Sequence, residues 1–217
     1  MRRLAMPAAV LMTVLAACGS PQERTAPPVA APSGAVQPDF TRVRAELPAG
    51  YEVGSFTGAS GAPALWGFGP GWSATPPQCG ALADPASADR SARGLSASGE
   101  GGTLFVVVAA SAAGAPPMGV LAECSRWTMT FGHTVAEVTG AGGPHIEGAL
   151  TTAWNAVART VVESGSQTST HISMQVAFFG SRVAFVTLIT DPGSTQPALD
   201  PEFAAGLLAT TVAAYRG

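Results

Sequence analysis

Residues 171–190 read HISMQVAFFGSRVAFVTLIT. Ile172, Met174, Val176 and Phe178 fall on alternate positions, so an extended chain puts them on one face. Gly180-Ser181 interrupts the pattern, and residues 183–190 resume as an apolar, β-branched run. Two such runs separated by two turn-forming residues predict a β-hairpin. A pair this apolar needs sheet and packing around it, and the rest of the chain carries the signals for both.

Working outward, residues 103–110 (TLFVVVAA) form a continuous apolar run bounded by glycines, as expected of a central strand covered on both faces. Residues 126–135 alternate, with Trp127, Met129, Phe131, His133 and Val135 on one side and mostly threonine on the other. Residues 51–58 make a short strand after the turn at Pro48-Ala49-Gly50. Residues 149–163 stay ambiguous, because their threonines and valines favour strand and their alanines tolerate helix. Two helices have punctuation. Thr75-Pro76-Pro77-Gln78 combines a capping threonine, first-turn prolines and a glutamine three residues on; it predicts a short helix carrying Cys79 and Leu82 and stopping before Pro85. Asp200-Pro201-Glu202 opens a second, with Phe203, Leu207, Leu208, Val212 and Tyr215 as its apolar stripe. The sum is an α+β fold: a mostly antiparallel sheet with packed helices, one domain over residues 39–217.

The N-terminus reads MRRLAMPAAVLMTVLAAC. Two arginines precede an apolar stretch too short to span a bilayer as a stable helix. Leu15-Ala16-Ala17-Cys18 then resembles the bacterial lipobox. The resemblance implies that residues 1–17 are a signal peptide and that Cys18 is thioether-linked to diacylglycerol, tethering the protein to the extracytoplasmic face of the cell membrane. The alternative is an ordinary secretory signal with a chance cysteine. Residues 18–38, rich in proline and alanine, read as a tether reaching roughly 60 Å at most.

The chain has three cysteines. With Cys18 lipidated, Cys79 and Cys124 remain as an even pair in an oxidising compartment, where a disulfide is the default. A redox or metal pair lacks support: there is no Cys-x-x-Cys, and no histidine lies close in sequence. All eleven basic residues are arginine, a bias that reflects a GC-rich genome. Without residues 1–17, nine arginines face fourteen acids, a charge near −5. A mildly acidic chain with no basic cluster argues against a nucleic-acid partner.

Catalytic signatures are sparse. His133 with Glu137 could bind metal or move protons, but reads better as a strand-end histidine beside an unrelated surface acid. His145-Ile146-Glu147 copies half of the zinc deaminase signature and lacks the Pro-Cys-x-x-Cys half. His171 opens a strand and reads as solvated. Gly58-Ala59-Ser60-Gly61 falls one residue short of a nucleophile elbow. Ser98-Gly99-Glu100-Gly101-Gly102 precedes a strand, whereas phosphate loops follow one. Glu123, Glu137 and Glu147 come with no aromatic subsite pattern. We therefore expect no catalytic residues, no metal and no cofactor. Residues 65–72 (LWGFGPGW) are different: three large aromatics among glycines either plug the core or line an apolar cleft. Trp66, Phe68, Trp72 and Trp127 are the candidate ligand-lining residues, and Trp154 could share the space.

The blocks LPAGYEV (47–53), ALWGFGPGW with PPQC (64–79), GLSASGEGG (94–102), ECSRWTMTFGH (123–133) and VTLITDPG before LLATTVAAYRG resemble an uncharacterised family of mycobacterial lipoproteins. They are also distantly similar to the extracellular sensor domain of a mycobacterial Ser/Thr kinase. The resemblance implies envelope location, a disulfide and a cleft for a ligand. This chain keeps one cysteine pair where the sensor domain has two, and carries no kinase, so no signalling role carries over. The expectation is a non-enzymatic, lipid-anchored protein binding an apolar or amphipathic envelope molecule. The alternatives are a lipoprotein that binds an envelope protein, and a hydrolase whose site only the fold would reveal.

Overall fold

The hairpin at residues 171–190 is the centre of a nine-stranded antiparallel sheet in a computed structural model, which describes residues 40–216 apart from 59–60, 87–88, 90, 112 and 191–192. The predicted signal peptide, Cys18, the tether and Ser60 lie outside the described residues. In chain order the elements are α1 (Thr41–Ala45), β1 (Glu52–Thr57), α2 (Ala62–Leu65), β2 (Ser73–Thr75), a 3-10 turn (Pro77–Cys79) running into α3 (Gly80–Ala83), β3 (Arg93–Gly99), β4 (Gly102–Ala110), α4 (Met118–Glu123), β5 (Arg126–Phe131), β6 (Thr134–Ala141), β7 (Leu150–Val161), β8 (Gln167–Phe179), β9 (Arg182–Thr190) and α5 (Pro201–Arg216).

The strand order is β1-β3-β4-β9-β8-β7-β6-β5-β2. Strands β5 to β9 form a meander, each pairing with the next. The β3–β4 hairpin, closed at Gly99↔Gly102, joins it by pairing β4 with β9. Gly102 has to be glycine: its φ is +131°, and a Cβ there would lie 2.2 Å from the Ile189 carbonyl oxygen.

Two local expectations are corrected and one ambiguity is resolved. The alternation over residues 126–135 is two strands, because Gly132 (φ +55°) lets the chain reverse at Gly132-His133 and pair Phe131 with Thr134. His133 therefore sits in a turn, and Val135 is exposed. Thr75 does not cap a helix, since its backbone pairs with Thr128 in β2–β5 and the Thr75–Pro76 peptide is cis; the expected helical stretch starts as the 3-10 turn at Pro77 and continues through α3, carrying Cys79 and Leu82 and stopping before Pro85. The ambiguous stretch becomes β7, since β6 and β8 take up both of its hydrogen-bonding edges. The architecture is accordingly more sheet-dominated than an α+β fold with packed helices. Among the described residues only α5, with 16 residues, is long; the other four helices have six or fewer.

Pleating divides the core between two faces. On one, Leu95, Leu104, Val106, Val186 and Leu188 lie beneath Ala204, Leu207, Leu208 and Val212 of α5. Helix α5 starts where the Asp200 carboxylate accepts the Glu202 N–H at 2.9 Å. At its other end Arg216 donates to the carbonyls of Glu147 and Gly148. On the opposite face Val107, Phe185, Met174, Trp154, Trp127 and Met129 are covered by the chain between β1 and β3. Residues 61–72 lie within the crossing from one edge strand, β1, to the other, β2. Trp66 sits over β9, with Nε1 donating to Thr187 Oγ1 at 2.9 Å, and Gly69 packs onto the Phe131 ring of β5. A Cβ at Gly69 would come 2.3 Å from that ring, so the close crossing requires glycine. Among the described residues no helix is long and apolar enough to cross a membrane.

Candidate functional site

After its crossing, the chain adds β2 to the sheet edge beside β5, and the 3-10 turn and α3 then pack near the end of the sheet where β4 and β8 finish. Alpha-helix α4 approaches the same end from the other side. Cys79, closing the 3-10 turn, and Cys124, at the C-terminus of α4, are bonded with their Cα atoms 5.6 Å apart. The disulfide expected from the cysteine count is thus present, but it joins two short helical segments to each other. Beside it, Gln78 Nε2 reaches Glu123 Oε2 at 3.4 Å.

Between these linked walls lies an open cleft of about 370 Å³. One wall is Ala81, Leu82, Pro85 and Ala86, following Gln78; the other is residues 113–117 and Val120; Phe178 of β8 and Ala110 of β4 form the floor. The volume falls at the lower end of small-molecule sites, roughly 300–1,000 Å³. A dry apolar cavity of about 150 Å³ already holds a benzene ring. Among the described residues three polar side chains border the cleft. Gln78 is turned to Glu123, and Ser111 Oγ donates to the Gly114 carbonyl at 3.0 Å. The third, Asp84, ends α3 and is the only ionisable side chain among the described residues lining the cleft. Its Oδ1 is sealed from solvent with no hydrogen-bond partner, and burial pushes the carboxyl above its usual range.

Asp84 also borders a second, shallower depression of about 390 Å³ formed with residues 61–72, including Pro63, Phe68, Pro70 and Trp72. This is where the aromatic segment meets solvent. Trp72 is half-buried there, while Phe68 is 2% exposed. Trp66 and Trp127 border neither depression. Trp66 is 5% exposed and hydrogen-bonded to β9, and Trp127 packs edge-to-face on Trp154, their centroids 6.5 Å apart. Both act as core: Trp66 points inward from the strap that crosses the sheet, and Trp127 points inward from β5. The sequence missed Asp84 and the alanine–proline walls, since a lone acid before a proline and a run of small residues read as a helix end and a loop.

The other chemistry-bearing residues lie away from this cleft, and of them Glu137 and His171 border one groove. His133 lies in its turn, and His145 in the irregular link between β6 and β7. His171 is exposed on β8, on the sheet face away from Trp154. Glu137 pairs with Arg159 at 3.2 Å on the surface. The β8–β9 end of that face carries a separate groove of about 340 Å³ under Leu199 and Pro201, bordered by Glu137, Asn155, His171 and Ser173.

No curated protein matches this sequence. Among solved structures, an uncharacterised protein of Mycobacterium smegmatis, the Rv0999 ortholog, shares the fold with a TM-score of 0.58 at 20% identity, over 81% of this chain and 94% of that one. Residues 37–216 match the family model described as a domain of unknown function, DUF5642, and the chain belongs to that family.

Proposed function

We propose that the protein is a lipid-anchored cell-envelope protein that holds an apolar or amphipathic molecule in the cleft between α3 and α4, without catalysing a reaction on it. The observation that carries this reading is the cleft itself: concave, walled by alanine, proline, leucine and valine, and floored by Phe178. Ligand sites are mostly apolar with few polar groups, and among its described residues this one has a single polar side chain not already engaged. The disulfide holds the two walls at a fixed separation, so little ordering has to accompany binding. The lipobox-like run ending at Cys18 supports the anchor, and a disulfide suits the oxidising side of a membrane.

Native mass spectrometry of the full chain, purified from an actinobacterial host and freed of detergent in the gas phase, tests both halves. The expected spectrum shows diacylglycerol bound covalently at Cys18 and a second, non-covalent adduct of lipid size. Ala113→Trp, at an exposed position on the cleft wall, should lose the non-covalent adduct and keep the covalent one. A bare protein mass for both forms overturns the cleft reading, in favour of a lipoprotein that binds another protein. An unmodified Cys18 overturns the anchor.

A further inference from the structure

We propose that residues 113–122, which run from the cleft wall through α4, dip into the surface of an anionic lipid bilayer, so that the cleft end of the sheet faces the membrane. The inference rests on the lipid anchor of the reading above and adds how the anchored domain stands on its membrane. The segment reads AGAPPMGVLA, without one polar side chain. None of these residues is buried, and α4 buries none of its own. Met118 stands outside the cleft lining and is 68% exposed, the most of any large apolar side chain described. Single exposed apolar residues are ordinary, but a contiguous uncharged stretch marks a surface that meets something.

Hydrocarbon penalises a backbone N–H that lacks a partner. Pro116 and Pro117 carry no N–H, Gly114 donates to the Ser111 carbonyl, and Val120 and Leu121 donate to that of Pro117. The segment thus offers apolar surface with few loose donors, which suits immersion, whereas a protein interface surrounds its apolar core with a polar rim. Charge sets the direction. Arg93, Arg126 and Arg182 open β3, β5 and β9, and Arg216 closes α5, all at the end of the sheet where α4 stands. Asp84, Asp89, Glu123 and Glu147 balance them there. At the opposite end stand Glu52, Glu100, Glu163, Asp200 and Glu202, while Arg159 is taken by Glu137. An anionic surface repels that end and accepts the balanced one. Val161 and Val162 are exposed too, but they lie at the acidic end and run straight into Glu163. The tether permits this stance: residues 18–38 reach roughly 60 Å, and β8, the longest strand at 13 residues, runs about 43 Å.

The test is photo-cross-linking of the full chain on vesicles of phosphatidylcholine and phosphatidylglycerol that contain a phospholipid with a diazirine at the end of an acyl chain. Digestion and mass spectrometry then map the labelled residues and read the state of Cys18. The expected label falls on residues 113–122, centred on Met118. It drops several-fold in Met118→Glu, and several-fold when phosphatidylglycerol is left out. Val161→Glu leaves it unchanged, and thermal melting confirms that both variants are folded. A chain without diacylglycerol that still labels at 113–122 keeps the docking and overturns the anchor. Absence of label there overturns the docking, as does label that Met118→Glu leaves in place or label at 161–162 instead. Label on Leu82 and Phe178 alone overturns the docking while leaving the cleft as a ligand site.

Discussion

Replacing Trp66 by alanine removes a side chain that fills the layer above β9 and donates its indole hydrogen to Thr187. Large-to-small changes at tryptophan cost about 3–5 kcal/mol. We expect a loss of that size in urea unfolding of Trp66→Ala, and a smaller one, about 1–3 kcal/mol, for Trp66→Phe, which leaves the Thr187 hydroxyl without its donor. No loss for Trp66→Phe would mean that the hydrogen bond contributes nothing; equal losses would mean that the packed ring contributes nothing beyond it. Asp84 gives a prediction of a different kind. Its folded carboxyl holds a proton more tightly than the ordinary value of 3.8, because burial disfavours the charge. Below that pH both states are protonated. As pH rises, the unfolded chain ionises first, so stability falls until the folded pKa is passed. Asp84→Asn should therefore gain on wild type between pH 3.8 and neutrality. A stability difference that is flat with pH would show that Asp84 is well solvated.

Among the elements, the disulfide decides how firmly the cleft walls are held. It closes a loop of 45 residues in sequence separation, worth roughly 4 kcal/mol in the chain-entropy account. Cys79→Ser should lower the melting temperature and leave Cys124 reactive towards thiol reagents; an unchanged melt would place the stabilisation elsewhere. The pairing was legible in the sequence because two cysteines remain once Cys18 is set aside. The strands were legible where alternation or apolar runs were long, as in β4, β8 and β9. Elements misread were those governed by pairing partners distant in sequence. Thr75 looks like a cap until β5 claims its backbone, and residues 126–135 look continuous until Gly132 turns them. The cleft left almost no trace in the sequence, since small residues on two separate segments acquire meaning only when a crosslink and a sheet end bring them together.

For the whole molecule, the strand order inverts the order along the chain. The last two strands, β8 and β9, lie at or beside the middle of the sheet, and the first two, β1 and β2, are its borders. A chain stopped at residue 180 lacks β9 and α5, and with them the partner of β4 and the cover of one face. We expect such a chain to show no cooperative thermal transition by circular dichroism; a sharp melt would mean that the β5–β8 meander folds alone. The crossing segment adds a consequence in time. A ribosome releases the borders before the centre exists, so β1 and β2 wait for β3 and β5, and the aromatic strap between them waits longer, for the β7–β9 surface that it covers. Unpaired edges and exposed aromatics are what invite association between chains. Vectorial synthesis thus sets a window of vulnerability that closes only when the final third of the polypeptide has emerged.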